Sequence, residues 1–204
     1  MTQGDSSVAK KVAIVLASGF ADWEYALIAG VGGPFYGLEV AFFAPQVGKF
    51  SSQGGLTVEV EKSVAELADW RPEVLVVAGG TLWETERAPA ISALLNEQFQ
   101  RGATLAGICG GTLALARAGL LNSRGHTSND AGFLTRHAEG YTGQRHFVAS
   151  AAAVVDERVI TAPGSAPVSF TTAVFRAAGL DEETLRQFSA MLAAEHAVGE
   201  TARA

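Results

Sequence analysis

The 204-residue chain reads as a three-layer α/β sandwich, a mostly parallel sheet with helices on both faces. Three observations predict it. Short apolar runs of strand length, "KVAIVLA", "EVLVVAGG" and "ATLAGIC", recur along the chain, and each gives way to glycine within two residues. Segments of helical pattern separate them, as crossover connections between parallel strands require. No internal repeat, low-complexity tract or linker divides the sequence, so a single domain over 1–204 is expected, with 1–10 a flexible leader.

Lys11–Ala17 is the first strand, stopped by Ser18-Gly19. A helix follows from Asp22 to about Val31, with "GVGGP" as its terminator. Leu38–Pro45 is the second strand. In "SSQGGLTVEVEK" the alternation around Thr57–Glu61 and the glycines predict a hairpin or edge strand. "SVAELADW" makes a short helix, Glu73–Gly80 a strand, Pro89–Gln100 a helix, Ala103–Cys109 a strand and Thr112–Ala118 a helix. The polar stretch beyond it holds a turn of helix near Ala131–His137. "FVASAAAVVDERVITAPG" reads as two strands joined at Asp156-Glu157. Ser165–Gly179 and Glu182–Val198 close the chain as helices, the second with an acidic first turn.

Composition excludes several classes of function. Fifteen basic residues stand against 21 acidic ones, for a net charge of −6, and no basic cluster is present. Nucleic acid and anionic membrane surfaces are therefore not expected partners. No apolar run approaches the ~18 residues of a membrane span. The start "MTQGDSSVAKK" lacks the apolar centre of a signal peptide. A lone cysteine forms no internal disulfide, and the four scattered histidines offer no metal-ligand cluster. No glycine-rich stretch has the strand-to-helix setting of a phosphate loop, so no cofactor is implied. The expectation is a soluble, cytoplasmic protein with a small-molecule substrate.

In parallel α/β sheets, ligands bind beyond the carboxyl ends of the strands. Ser18-Gly19, Gly79-Gly80 and Gly107–Gly111 all fall there. "GICGG" (Gly107–Gly111) reproduces the G-x-S-x-G nucleophile elbow with sulfur for oxygen. A sharp strand-to-helix turn strains the nucleophile and requires small neighbours. It also places Cys109 at a helix start, where the thiolate is favoured and a thiol pKa below the ~8.5 of free cysteine is expected. The Gly110 amide then points where an oxyanion develops, and Gly80 at the neighbouring strand end supplies a second donor. A lone cysteine is most often a small buried hydrophobe. Strand, elbow, glycine pair and helix together make the nucleophile the better reading.

"GFADWE", "VLVVAGG", "GICGGTLALARAGLL" and "VITAPGSAPVSF", in that order, resemble the ThiJ/PfpI superfamily, whose fold resembles that of the class I glutamine amidotransferases. The similarity spans about Lys11–Gly179 and implies a flavodoxin-like sandwich and a homodimer. It also implies that Glu24 hydrogen-bonds the nucleophilic cysteine, sharing a proton with it. His126 follows the elbow helix at about the interval of the family's active-site histidine, with Ser128, Asn129 and Asp130 placed to orient its ring. Peptidase-like members carry histidine directly after the nucleophile, where this chain has Gly110.

The implied activity is that of a cysteine-dependent hydrolase, deglycase or glyoxalase-like lyase acting on a small carbonyl or amide. Cys109 would attack, with Glu24 and His126 moving protons. The alternatives are a stress-protective redox sensor with an oxidisable Cys109, and a glutaminase or isocyanide hydratase. No ammonia-accepting domain is expected within this chain, which disfavours the glutaminase.

Overall fold

The structure, a computed structural model, describes residues 9–201; residues 1–8 of the expected leader lie outside the described residues. In chain order, β1 (Lys11–Val15) leads to α1 (Asp22–Tyr36), β2 (Glu39–Ala44) and the pair β3 (Gly48–Ser51) and β4 (Thr57–Val60). β5 (Lys62–Ser63) passes through a 3-10 turn into α2 (Leu67–Trp70), followed by β6 (Val74–Val77), α3 (Ser92–Gln100), β7 (Thr104–Ile108) and α4 (Gly111–Arg117). α5 (Phe133–His137), β8 (Val154–Asp156), β9 (Val159–Ala162), α6 (Pro167–Ala177) and α7 (Glu182–Thr201) complete the described chain.

The main sheet has the order β5-β2-β1-β6-β7-β9-β8. Its pairings are parallel except that of β8 with β9. Winding starts at β1, moves outward to β2 and then reverses through β6, β7 and β9, which is the flavodoxin-like pattern. The reversal lies between β1 and β6, where such folds open a crevice at the carboxyl edge. β3 and β4 form the expected hairpin, apart from the main sheet.

Strand alternation builds the two apolar layers. Val12, Ile14 and Leu16 face one core with Phe170, Phe175 and Phe188. Ala13, Val15 and Ala17 face the other with Leu95, Leu113 and Trp83. Residues successive along a strand thus serve opposite faces, which pins register: a slip of one would exchange the layers.

Helix α1 departs from expectation. It runs through "GVGGP" to Tyr36 and ends at Gly37, whose φ of 67° and N–H to the Gly33 carbonyl make a left-handed cap. The internal glycines form a packing surface. A Cβ on Gly32 would stand 3.0 Å from the Phe175 ring of α6. Close helix contact there outweighs the ~1 kcal/mol of helix propensity that each glycine loses. Of Phe35, Tyr36 and Phe50, three aromatics in glycine-rich surroundings, Tyr36 packs edge-on against Phe175 and Phe35 is 76 % exposed. Phe50 lines a cavity of about 420 Å³ with Ala17 and Leu82.

The first strand expected in "FVASAAAVVDERVITAPG" shrinks to Val154–Asp156. Upstream, the Ser150 hydroxyl accepts from the Ala152 N–H and donates to the Ala152 carbonyl, and this local bonding competes with a ladder.

Helix α4 lies close against β6 at Gly111. A Cβ on Gly111 would overlap the Val77 carbonyl oxygen, a backbone atom that cannot turn aside. Gly111→Val is expected to lower stability by about 1–3 kcal/mol. Urea denaturation of the variant checks this; a midpoint equal to wild type would mean that α4 and β6 do not meet as described.

Candidate active site

Cys109 sits between the end of β7 and the start of α4 with φ of 53°, one of three non-glycine residues with positive φ among the described residues. Such a conformation costs on the order of 1–3 kcal/mol and persists only where surroundings over-determine it. Here the Cys109 N–H donates to the Ala162 carbonyl of β9, and its carbonyl accepts from the Thr112 hydroxyl at 2.6 Å. Gly107, Gly110 and Gly111 let the chain fold back: a Cβ on Gly107 would crowd the Gly111 carbonyl at 3.0 Å, and one on Gly110 the Gly80 carbonyl at 2.7 Å. The backbone N–H groups of Gly80 and Gly110 enter no backbone–backbone hydrogen bond among the described residues, and that of Gly110 faces the Cys109 thiol.

Glu24 reaches the same point from the first turn of α1. It is 1 % exposed, and its Oε2 accepts from the Gly79 N–H at 2.6 Å. Oε1 has no partner in directed hydrogen-bond geometry, yet it borders the sulfur. A Cβ on Gly164 would lie 3.0 Å from Cys109 Sγ and 3.1 Å from Oε1. The carboxyl and thiol therefore act on each other, by charge and through the proton between them.

The proton balance follows from burial. Loss of water lifts the Glu24 carboxyl to about 7, against the pull of the Gly79 N–H and the thiol. Burial and then the Glu24 charge lift the thiol to about 11, opposed by the Asn129 amide and the Gly110 N–H. The expected fall below free cysteine does not occur while Glu24 is ionised, because desolvation and a neighbouring anion outweigh the two donors. Between these limits the pair holds one proton, which belongs to both groups.

His126 is placed elsewhere than expected. It is fully buried, with Nδ1 bonded to the Arg124 carbonyl at 2.7 Å and Nε2 to the Tyr141 hydroxyl at 2.6 Å. Its backbone pairs with Phe147. Both ring nitrogens are engaged, so neither is directed at the thiol, and burial lowers the ring's pKa. Neither Ser128, Asn129 nor Asp130 orients the ring, since each is bonded elsewhere. Ser128 shares a hydrogen bond with Thr112 at 2.7 Å, and Asp130 pairs with Arg136.

Asn129 takes the position beside sulfur. Its Nδ2 donates to Cys109 Sγ at 3.3 Å, and its Oδ1 accepts from the Gly164 N–H at 3.0 Å. The second bond fixes the amide's orientation, because a flip would set two donors face to face. The signal for Asn129 lay in "HTSND", but the resemblance ranked the histidine first.

Cavity size does not mark this site. A cavity of about 470 Å³ lies at the opposite, amino ends of β6 and β7, lined by Arg71, Gln98 and Arg101. Among the described residues, no three histidine, cysteine or carboxylate side chains cluster as a metal would need. None of the described helices is long and apolar enough to cross a membrane.

The DJ-1/PfpI family model matches residues 10–177. A Bacillus subtilis protein named "Uncharacterized protease YoaZ" is 32 % identical over 174 residues, 82 % of this chain and 82 % of its own. The crystal structure of a DJ-1 superfamily protein from Agrobacterium tumefaciens superposes with a TM-score of 0.86 at 35 % identity, covering 92 % of this chain and 99 % of that one. That of a thiJ/pfpI family protein from Bacillus anthracis gives 0.77 at 27 % identity, with 89 % of each chain covered.

Burial of Glu24 has a measurable consequence. An unfolded chain releases this proton near 4.5, whereas the folded protein keeps it to about 7. Over that interval the native state binds more protons, so stability from this group is whole below the lower value and falls as pH rises through the higher one. Relative to Glu24→Gln, the wild type is expected to lose on the order of 3 kcal/mol across the interval. Denaturation of both proteins at a series of pH values tests it; parallel stability curves would mean that Glu24 ionises as a free carboxyl.

Proposed function

The chain belongs to the DJ-1/PfpI family, and from that premise we propose that it is a cysteine-dependent enzyme acting on a small electrophilic carbonyl compound or amide. The observation that carries the reading is the strained Cys109, at φ of 53°, held against a buried carboxyl whose pKa lies at about 7. A base poised there is matched to proton transfer at neutral pH.

In this mechanism Cys109 Sγ bonds to the electrophilic carbon as its proton passes to the ionised Glu24. The carbonyl π pair moves onto oxygen, where the N–H groups of Gly80 and Gly110 receive it. With an amide, Glu24 returns the proton to the departing nitrogen, and water then releases the acyl group from sulfur. Asn129 holds a donor on the sulfur throughout, and His126 supports the loop from beneath without entering the chemistry. Peptidase activity is less favoured than small-molecule chemistry, because Gly110 stands where peptidase-like relatives carry histidine. We place the enzyme in the cytoplasm as a single-domain homodimer, with neither nucleic acid nor membrane as partner.

The half-buried thiol, with a carboxyl and an amide beside it, also suits oxidation to a sulfinate, which is the sensor reading. That reading predicts selective modification of Cys109 by peroxide and no turnover of any substrate.

A screen of methylglyoxal, small amides, peptides and isocyanides against wild type and Cys109→Ser tests the function; equal activity of both proteins on every substrate would reject the nucleophile. The pH dependence of iodoacetamide labelling adds a test that needs no substrate. Wild type is expected to label with a midpoint well above that of free cysteine, because burial and the Glu24 charge push the thiol up to about 11. In Glu24→Gln the midpoint should move downward, since the neighbouring anion is gone, while turnover should fall by about 10²–10⁴-fold. An unchanged midpoint and rate in Glu24→Gln would remove Glu24 from the mechanism.

A further inference from the structure

Trp23 is one residue from Glu24 on the first turn of α1, yet it does not enter the core: its side chain leaves the residue 49 % exposed. An indole so open to water has no packing reason to adopt one orientation. It is nonetheless held, because Nε1–H donates to the Gly164 carbonyl at 2.9 Å. The N–H of the same Gly164 donates to Asn129 Oδ1, and Asn129 Nδ2 donates to Cys109 Sγ. Three hydrogen bonds therefore run in one direction from indole to sulfur, each with its donor on the indole side or fixed by the bond before it.

Gly164 lies in the turn between β9 and α6, and a Cβ there would stand 3.0 Å from both the Cβ and the Sγ of Cys109. A small movement of this turn thus changes the distance from Asn129 to the thiol directly. The hydrogen bond from Trp23 ties it to the helix turn that carries Glu24. The other side of that turn is tied down as well, since Asp22 Oδ2 accepts from the Gly54 N–H at 2.8 Å. Acid, thiol and amide donor are consequently set against one another by contacts made from a single helix turn.

We propose that Trp23 is a positioning residue for the thiol, clamping the Gly164 turn so that Asn129 keeps its amide donor on Cys109 Sγ. The proposal rests on Cys109 being the reactive group of the site. Donors on a sulfur favour its thiolate, so loosening the clamp makes the thiol harder to ionise.

Iodoacetamide labelling against pH, on folded full-length protein, tests it. Trp23→Phe keeps an aromatic ring and loses the N–H donor. Its labelling midpoint is expected to rise by roughly half a pH unit or more. Asn129→Ala should raise it likewise, and the double variant should go no further than Asn129→Ala, as members of one chain do. If Asn129→Ala shifts the midpoint and Trp23→Phe does not, the clamp is overturned while the proposed function stands. If wild-type Cys109 is not labelled at all, the reading beneath it fails.

A second measurement uses the wild type alone. With nitrogen-15 tryptophan, the indole N–H resonance of Trp23 should titrate with the midpoint of thiol labelling and lose that titration in Cys109→Ser. A resonance indifferent to pH, or one that titrates equally in Cys109→Ser, overturns the proposal.

Discussion

The hydrogen bond from the Gly79 N–H to Glu24 Oε2, 2.6 Å long and fully buried, joins the first crossover of the fold to the end of β6. It spans the point where strand winding reverses, and the other distances at the site depend on it. With one oxygen anchored, the second is turned toward Cys109 and lies against Gly164. Glycine is required on both sides of this carboxyl. A Cβ at Gly79 would overlap Oε2, and one at Gly164 would press on the sulfur. The carboxyl thus occupies a slot built to its width, which explains how it stays buried and holds its proton toward neutrality.

Charge and strain act in opposite senses on the thiol. The left-handed backbone of Cys109 lifts the sulfur clear of the sheet and leaves the Gly110 N–H free to face it. Burial and the Glu24 charge resist ionisation, while Asn129 and Gly110 favour it. A nucleophile balanced in this way is quiet until its proton has somewhere to go. The environment supplies the recipient at one carboxyl, so reactivity is tied to a single proton rather than to a permanently ionised sulfur.

Much of this was legible in the sequence because local pattern decides it. Apolar runs ending in glycine are strands of a parallel sheet, and "GICGG" specifies a tight turn whatever surrounds it. Glu24 was found through a resemblance rather than through spacing: nothing local tells a carboxyl that turns inward from one that caps a helix, and Asp22 serves the surface two positions earlier. Asn129 and His126 show the limit. The chain places three bonding residues after His126, and which of them meets the sulfur depends on Thr112 holding Ser128 and on Gly164 arriving from beyond β9. The length of α1 was hidden for a related reason, since a glycine cluster signals termination until the ring of Phe175 is known to need that space.

The bond between Trp23 and Gly164 links positions 141 residues apart. Glu24, Gly79, Cys109 and Gly164 likewise arrive beyond the ends of four strands, β1, β6, β7 and β9, and Asn129 lies on the connection that leaves β7. Such pairings close long loops and form late, after local helices and neighbouring strands are in place. A partly folded chain therefore carries an ordinary cysteine, without the strained backbone, the captive proton or the directed amide. Chemical competence at this sulfur arises only once the whole topology has closed, so the thiol's reactivity reports on the integrity of the entire fold.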